Sequence, residues 1–297
     1  MTRITITTPA TTSNLGSGFD CFGLALRLYN RVDLSPGAWR VEVAGEGHGE
    51  LPSGRDNLIF QAASRVFRRA KRRMPPLDAR CVNRVPVARG LGSSATAIVA
   101  GLLGANALTG GRLSREDLLE EALSLEPHPD NLAPCLFGGL VAAVKGESRT
   151  LVAPIRVPKR LGVVVAIPDQ RVPTDEARRI LPPYVSLENA VFNLSRSALF
   201  VAACEQGRLD WIREATQDRL HALFRAELVP GAMAAILPFD GILAATVSGS
   251  GSTLLYLVEG DPRGAVPAIE RHLRRCKLAA RVLPLGIDRA GAKVTRR

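Results

Sequence analysis

The stretch Val85-Pro86-Val87-Ala88-Arg89-Gly90-Leu91-Gly92-Ser93-Ser94-Ala95-Thr96 carries the residue types that can hold a phosphate without a lysine. Two glycines permit a tight turn in which successive amide N–H groups converge on one anion. Two serines follow where a helix begins, so their hydroxyls join the positive end of a helix dipole. A lone Gly-x-Ser-Ser would read as an N-terminal turn ahead of a core helix, whereas the whole string reads as a nucleotide-phosphate cradle. The P-loop alternative is excluded, because no Gly-Lys dipeptide occurs in the chain. His-Glu-x-x-His, Gly-x-Ser-x-Gly and Asp-Phe-Gly are absent as well. The chemistry such a cradle serves is phosphoryl transfer, which needs alignment and charge neutralisation more than covalent help. A magnesium ion there would take hard oxygen ligands: the Ser94 hydroxyl and a carboxylate.

Positioning that loop requires a strand before it and a helix after it. Val82 to Val87 predicts the strand, and the apolar run from Ala95 predicts the helix. Alternation over Arg3 to Thr7 predicts a half-buried strand, followed by a Gly/Asn/Asp-rich loop from Asn14 to Gly23. Asp56 to Arg73, Ser114 to Leu125 and Leu187 to Glu205 have helical spacing, with Ser114 as an N-cap. Leu161 to Ile167 is a continuous apolar run, the mark of a buried strand. Thr246 to Ser248 and Thr253 to Val258 flank Gly249-Ser250-Gly251 as two strands or a strand and a turn. Strands and helices alternate in both halves, with a boundary expected around residues 145–160.

The 297 residues suffice for two domains, and 46% apolar with 23% charged residues is ordinary globular usage. The net charge of +11 suits anionic partners without choosing among them. The longest apolar run, Ala95 to Leu108, is too short to cross a bilayer, and no signal peptide follows Met1. Five scattered cysteines without Cys-x-x-Cys spacing exclude a disulfide framework or a Cys-rich zinc site. Basic clusters at Arg65–Arg73 and Arg271–Lys277 invite a nucleic-acid reading, but no aromatic platform interleaves with them. They are read as solvated helix faces.

The cradle string resembles the ATP-binding motif of the superfamily of galactokinase, homoserine kinase, mevalonate kinase and phosphomevalonate kinase. Pro9-Ala10-Thr11-Thr12-Ser13-Asn14-Leu15-Gly16-Ser17-Gly18-Phe19-Asp20 resembles the first motif of the homoserine kinases. So does His128-Pro129-Asp130-Asn131-Leu132-Ala133-Pro134, followed by Gly138-Gly139. Thr174 to Arg178 with Leu181-Pro182, His221 to Gly231 and Ser248 to Gly251 follow in the family's order, so the resemblance spans essentially the whole chain. It implies an α+β two-domain small-molecule kinase fold. Residues 1–155 would form an ATP-binding domain like domain 2 of ribosomal protein S5, and residues 156–297 a ferredoxin-like domain contributing to substrate binding. It also implies a cytoplasmic enzyme that uses ATP and Mg2+ to convert L-homoserine to O-phospho-L-homoserine, a step toward threonine.

By the same resemblance, Pro86, Arg89, Gly90, Leu91, Gly92, Ser93, Ser94 and Ala95, with Asn57, bind the nucleotide. Ser94 and Glu126 hold the metal, with Glu120 as the alternative carboxylate. Asn14, Asp20, His128, Asn131, Thr174, Arg178 and Arg225 surround the substrate, and Asn14, Asn131 and Arg178 act in catalysis. The substrate carboxylate suits the guanidinium forks of Arg178 and Arg225, and its ammonium suits Asp20. Thr174 either contacts the substrate or caps its helix. Mevalonate kinase has an aspartate where Asn131 stands, and an amide is no base. Direct transfer without a dedicated carboxylate base is therefore implied. Asp130 is expected to point elsewhere and not to serve as base. Ser17, Pro127 and Ser252 depart from the family's usual proline, glycine and proline, and Pro127 restricts Glu126 before it. Two rivals stand beside this reading: a kinase of the superfamily acting on another hydroxylated metabolite, and a basic nucleic-acid-binding protein. Neither nucleic acid nor membrane is an expected partner, and a homodimer is left open.

Overall fold

The computed structural model describes residues 3–296. The first half runs through β1 (Ile4–Ser13), β2 (Phe22–Pro36), β3 (Arg40–Gly45), α1 (Leu58–Arg69), β4 (Leu77–Asn83) and α2 (Ser93–Thr109). It continues through α3 (Arg115–Leu123), α4 (Pro129–Phe137), β5 (Leu140–Lys145) and β6 (Thr150–Ile155). The second half comprises β7 (Leu161–Pro168), α5 (Thr174–Arg179), α6 (Leu187–Gln206), α7 (Ile212–Ala215), α8 (Ala222–Glu227) and α9 (Ala232–Ala235). Then come β8 (Ala244–Val247), β9 (Leu254–Glu259), α10 (Pro262–Arg275), β10 (Ala280–Leu285) and β11 (Lys293–Arg296).

The first sheet has the order β11-β1-β2-β4-β3, with β5 on the N-terminal end of β2 and β6 beyond it. Only β3 and β4 run parallel. The second sheet, β10-β7-β9-β8, is antiparallel throughout. Its β-α-β-β-α-β connection and strand order are ferredoxin-like, as expected. The continuous apolar run of β7 is explained by burial on both faces. Val163, Val165 and Ile167 join a core with Phe22, Leu24 and Leu140 of the first half. Val164 and Ala166 face the opposite way, toward Ile269 and Leu273 of α10. We propose 155/156 as the domain division. It separates the two sheets except at β11, which returns to pair with β1.

Three elements differ from the sequence reading, each for a local reason. The strand expected over residues 82–87 ends at Asn83, because Asn30 Oδ1 accepts the N–H groups of Arg84 and Val85 at 2.8 and 3.0 Å and turns the chain out of the sheet. The first strand extends past Pro9, where its register shifts and accommodates the proline. The sequence reading places no element at residues 128–131, and there α4 begins. Pro129 occupies the first position of α4, where its missing N–H costs nothing, and places Asp130 and Asn131 in the first turn. Ser114 caps α3 as predicted, in a reciprocal box with Asp117.

The basic face of α1 also has a structural role. Arg65 pairs with Glu121 at 3.0 Å, and Arg69 pairs with Asp117 and Glu121 at 2.7 and 3.2 Å, docking α1 on α3. Among the described residues, no helix is long and apolar enough to cross a membrane.

Candidate active site

A cleft of about 340 Å³ lies between the halves, with the Gly90–Ser94 turn at its middle. Gly90 and Gly92 take φ of +71° and +68°. A Cβ at Gly90 would fall 2.1 Å from the Ser248 carbonyl, and one at Gly92 would fall 1.9 Å from Thr11 Oγ1. Only glycine fits either place. Gly92 precedes α2, and no side chain caps that helix, so its first amides point at the cleft without a competing acceptor. The Ser248 hydroxyl donates to the Gly90 carbonyl at 2.6 Å, tying the turn to the second half.

One end of the cleft is apolar, lined by Val32, Val43, Leu51, Leu58, Ile59 and Val87, with Asn83 as a polar group among them. The other end is polar and charged. Asn14, Asp20, His128, Asp130, Asn131, Thr174, Arg178 and Arg225 all line it. Every substrate residue expected from the sequence is therefore gathered in one place. They arrive from the β1–β2 loop, the start of α4, both ends of α5, and α8.

Arg225 is buried, and no carboxylate among the described residues forms an ion pair with it. Its Nη1 donates to the Gly249 carbonyl at 2.7 Å. Burial, with Arg178 nearby, lowers its pKa to about 10, which leaves it charged at neutral pH. Such a cation calls for an anion. Arg178 forks onto Asp20, Nη1 and Nη2 lying 3.1 and 2.8 Å from its oxygens. Phe19 lies beneath both guanidinium groups, its centroid 5.1 Å from Arg225 and 5.8 Å from Arg178. His221 stacks on the same ring at 5.0 Å and bonds the Gly16 carbonyl through Nε2 at 2.8 Å. Burial lowers the His221 pKa, so the ring is held neutral behind the arginines.

Asp130 corrects the sequence reading. It does not point elsewhere: at a helix N-terminus side chains tilt past the end, so neighbours can share one direction. Asn131 Nδ2 bonds its Oδ1 at 3.1 Å, and both residues line the cleft. Burial, then the charge of Asp20, raises the Asp130 carboxyl to about 6, against a pull from Ser13, His128 and Arg178. The folded pKa exceeds the unfolded one of about 3.9, so the associated stability is full below pH 4 and is lost as pH rises through 6. Asp130→Asn should melt about 4–8 °C above the parent at pH 8, corresponding to roughly 2–3 kcal/mol, with the gap closing as pH falls to 4. A gap that does not change with pH in thermal melts would contradict that burial.

Other assignments are also refined. Leu91 and Ala95 are buried in the two cores, and neither they nor Pro86, which has no N–H to offer, lines the cleft. The Arg89 guanidinium is held by the carbonyls of Pro168 and Asp169 at 3.0 and 2.7 Å and braces the loop. Asn57 spends its amide on Ile59 N–H and the Pro52 carbonyl, capping α1 at the cleft wall. Thr174 does not cap its helix, since Pro173 precedes α5, and it faces the cleft. Glu126 lines the cleft and bonds His128 Nδ1 at 2.7 Å, so Pro127 has not carried it away. Glu120 instead accepts the Thr150 N–H at 2.6 Å, away from the cleft. Ser17 and Ser252 use their hydroxyls on the carbonyls of Ala215 and Gln170.

Residues 57–139 match the profile of the GHMP kinases N terminal domain. The homoserine kinase of Moorella thermoacetica is 40% identical over 290 residues, spanning 96% of this chain and 98% of that one. A homoserine kinase of Thermus thermophilus is 46% identical over 263 residues, or 87% and 88% of the two chains. The chain belongs to the homoserine kinase family. It is a kinase that phosphorylates homoserine with ATP, uses Mg2+, and serves threonine biosynthesis. The crystal structure of homoserine kinase from Cytophaga hutchinsonii superposes with a TM-score of 0.87 at 28% identity, covering 99% of this chain and 97% of that one. The L. major mevalonate kinase structure in complex with R-mevalonate shares the fold, at a TM-score of 0.71 and 15% identity, covering 96% of each chain.

Proposed function

We propose that the polar end of the cleft holds L-homoserine with its carboxylate on Arg225 and Arg178 and its ammonium between Asp20 and Asp130. The observation that carries this is the buried Arg225 cation, which makes no ion pair with a carboxylate among the described residues and lies near a pair of aspartates. A neutral sugar would leave that charge unanswered. The apolar end takes the nucleoside, and the Gly90–Ser94 amides take the phosphates at the start of α2. The oxygen donors of Ser94 and Glu126 fit a hard divalent ion, and Mg2+ held there would neutralise phosphate charge.

Asn14 and Asn131 act as fixed struts. Asn14 bridges the Asp20 N–H at 2.9 Å and the Gly249 carbonyl at 3.2 Å. Asn131 accepts from Thr11 at 2.8 Å and donates to Ser13 at 3.0 Å. They keep the substrate loop and α4 in register with the cradle, so the hydroxyl faces the γ-phosphoryl group. The substrate hydroxyl loses its proton to the transferred phosphoryl group or to solvent. The raised pKa of Asp130 supports a second reading, in which it accepts that proton. A kcat–pH profile separates the two: an acid limb that vanishes in Asp130→Asn marks a base.

A coupled ADP-release assay with MgATP across L-homoserine, L-threonine, mevalonate and galactose tests the substrate. Clear preference for L-homoserine is expected. Preferential turnover of another alcohol would overturn the roles of Arg178, Arg225 and Asp20 while leaving the phosphate cradle intact.

A further inference from the structure

The two groups given opposite ends of the substrate hold each other. Arg178 grips both oxygens of Asp20 with Nη1 and Nη2, two nitrogens that a substrate carboxylate would need. Both side chains are about one-third exposed, so a small molecule can reach the pair from solvent. Arg178 and Arg225 share this end of the cleft with Asp20 and Asp130, and Asp218 also acts on Arg225.

We propose that the Asp20–Arg178 pair is a charge latch that selects zwitterionic alcohols, because only such a ligand replaces each half of the pair in kind. The inference rests on the L-homoserine reading and deepens it. A carboxylate-only alcohol draws Arg178 from Asp20 and leaves Asp20 facing the like charge of Asp130. An ammonium-only alcohol takes Asp20 and leaves Arg178 beside Arg225. Either outcome strands like charges in a partly desolvated space. A zwitterion brings both counter-charges and leaves the net charge of the site unchanged. Asp20 can be neutralised without releasing its loop, since its backbone N–H is separately held by Asn14 Oδ1 at 2.9 Å.

The test uses 4-hydroxybutyrate and 3-aminopropan-1-ol, which are homoserine without its ammonium and without its carboxylate. Dissociation constants come from NMR titration of the full-length protein. In Asp20→Asn the arginine side is freed: L-homoserine should bind about thirtyfold more weakly, while 4-hydroxybutyrate binds about tenfold more tightly than to the parent. Arg178→Gln frees the acidic side, so 3-aminopropan-1-ol should gain about tenfold. Failure of either analogue to gain in its matched variant overturns the latch. A parent protein that phosphorylates a different alcohol in preference to L-homoserine would instead remove the substrate reading, so the two failures are distinguishable.

Discussion

Alanine at position 92 is expected to lower kcat/KM for ATP about a thousandfold, the scale set by losing aligned backbone donors at a reacting oxyanion. The added methyl group would sit 1.9 Å from Thr11 Oγ1 and 3.2 Å from Asn131 Oδ1. Neither neighbour can step aside freely, because Thr11 Oγ1 itself donates to Asn131 Oδ1 at 2.8 Å. The φ of +68° adds about 1–2 kcal/mol of strain for any residue with a Cβ. Relief requires the turn to move away from β1, which misaims the first amides of α2. The effect should reach both substrates, since Asn131 also lies between the cradle and the homoserine end. Steady-state kinetics with a thermal melt would check this. A folded Gly92→Ala protein with parental kcat/KM would show that the turn does not place the phosphates.

The contrast between the two ends of the cleft shows what a sequence can reveal. The cradle is legible because its function is local: Gly90, Gly92 and the serines act through backbone geometry written in adjacent residues. β7 and α6 are legible for a similar reason, as periodicity reports how many faces are buried. The substrate end is assembled from four separate elements, and family resemblance, not spacing, gathers its residues. Asp130 escapes a sequence reading because its direction depends on Pro129 opening a helix, where the sequence reading places none. Phe19 and His221 fall within segments that resemble the family's, but nothing in those segments marks them as a platform for arginines. Their importance appears only when α5 and α8 bring Arg178 and Arg225 over one ring. The strand expected through Val87 fails because Asn30, more than 50 residues earlier, supplies the oxygen that ends it.

Methionine at position 225 is expected to separate stability from activity in opposite directions. Its kcat/KM for L-homoserine should fall about a thousandfold, while KM for ATP stays within about twofold, because the guanidinium touches only the substrate end. Tm should rise about 2–4 °C, since a buried cation beside another cation is replaced by a flexible apolar chain of similar length. The bonds lost are few. The Gly249 carbonyl keeps Asn14 Nδ2 at 3.2 Å, and the Ala177 carbonyl loses only a long contact of 3.4 Å from Nε. If Tm falls by several degrees together with equal losses toward both substrates, Arg225 is a structural strut and the carboxylate assignment fails. If Tm rises as activity collapses, the fold maintains this charge at the expense of its own stability. The chemical reason is then the one a zwitterionic substrate supplies: a carboxylate that must be held in a dry cleft while its hydroxyl faces the phosphate.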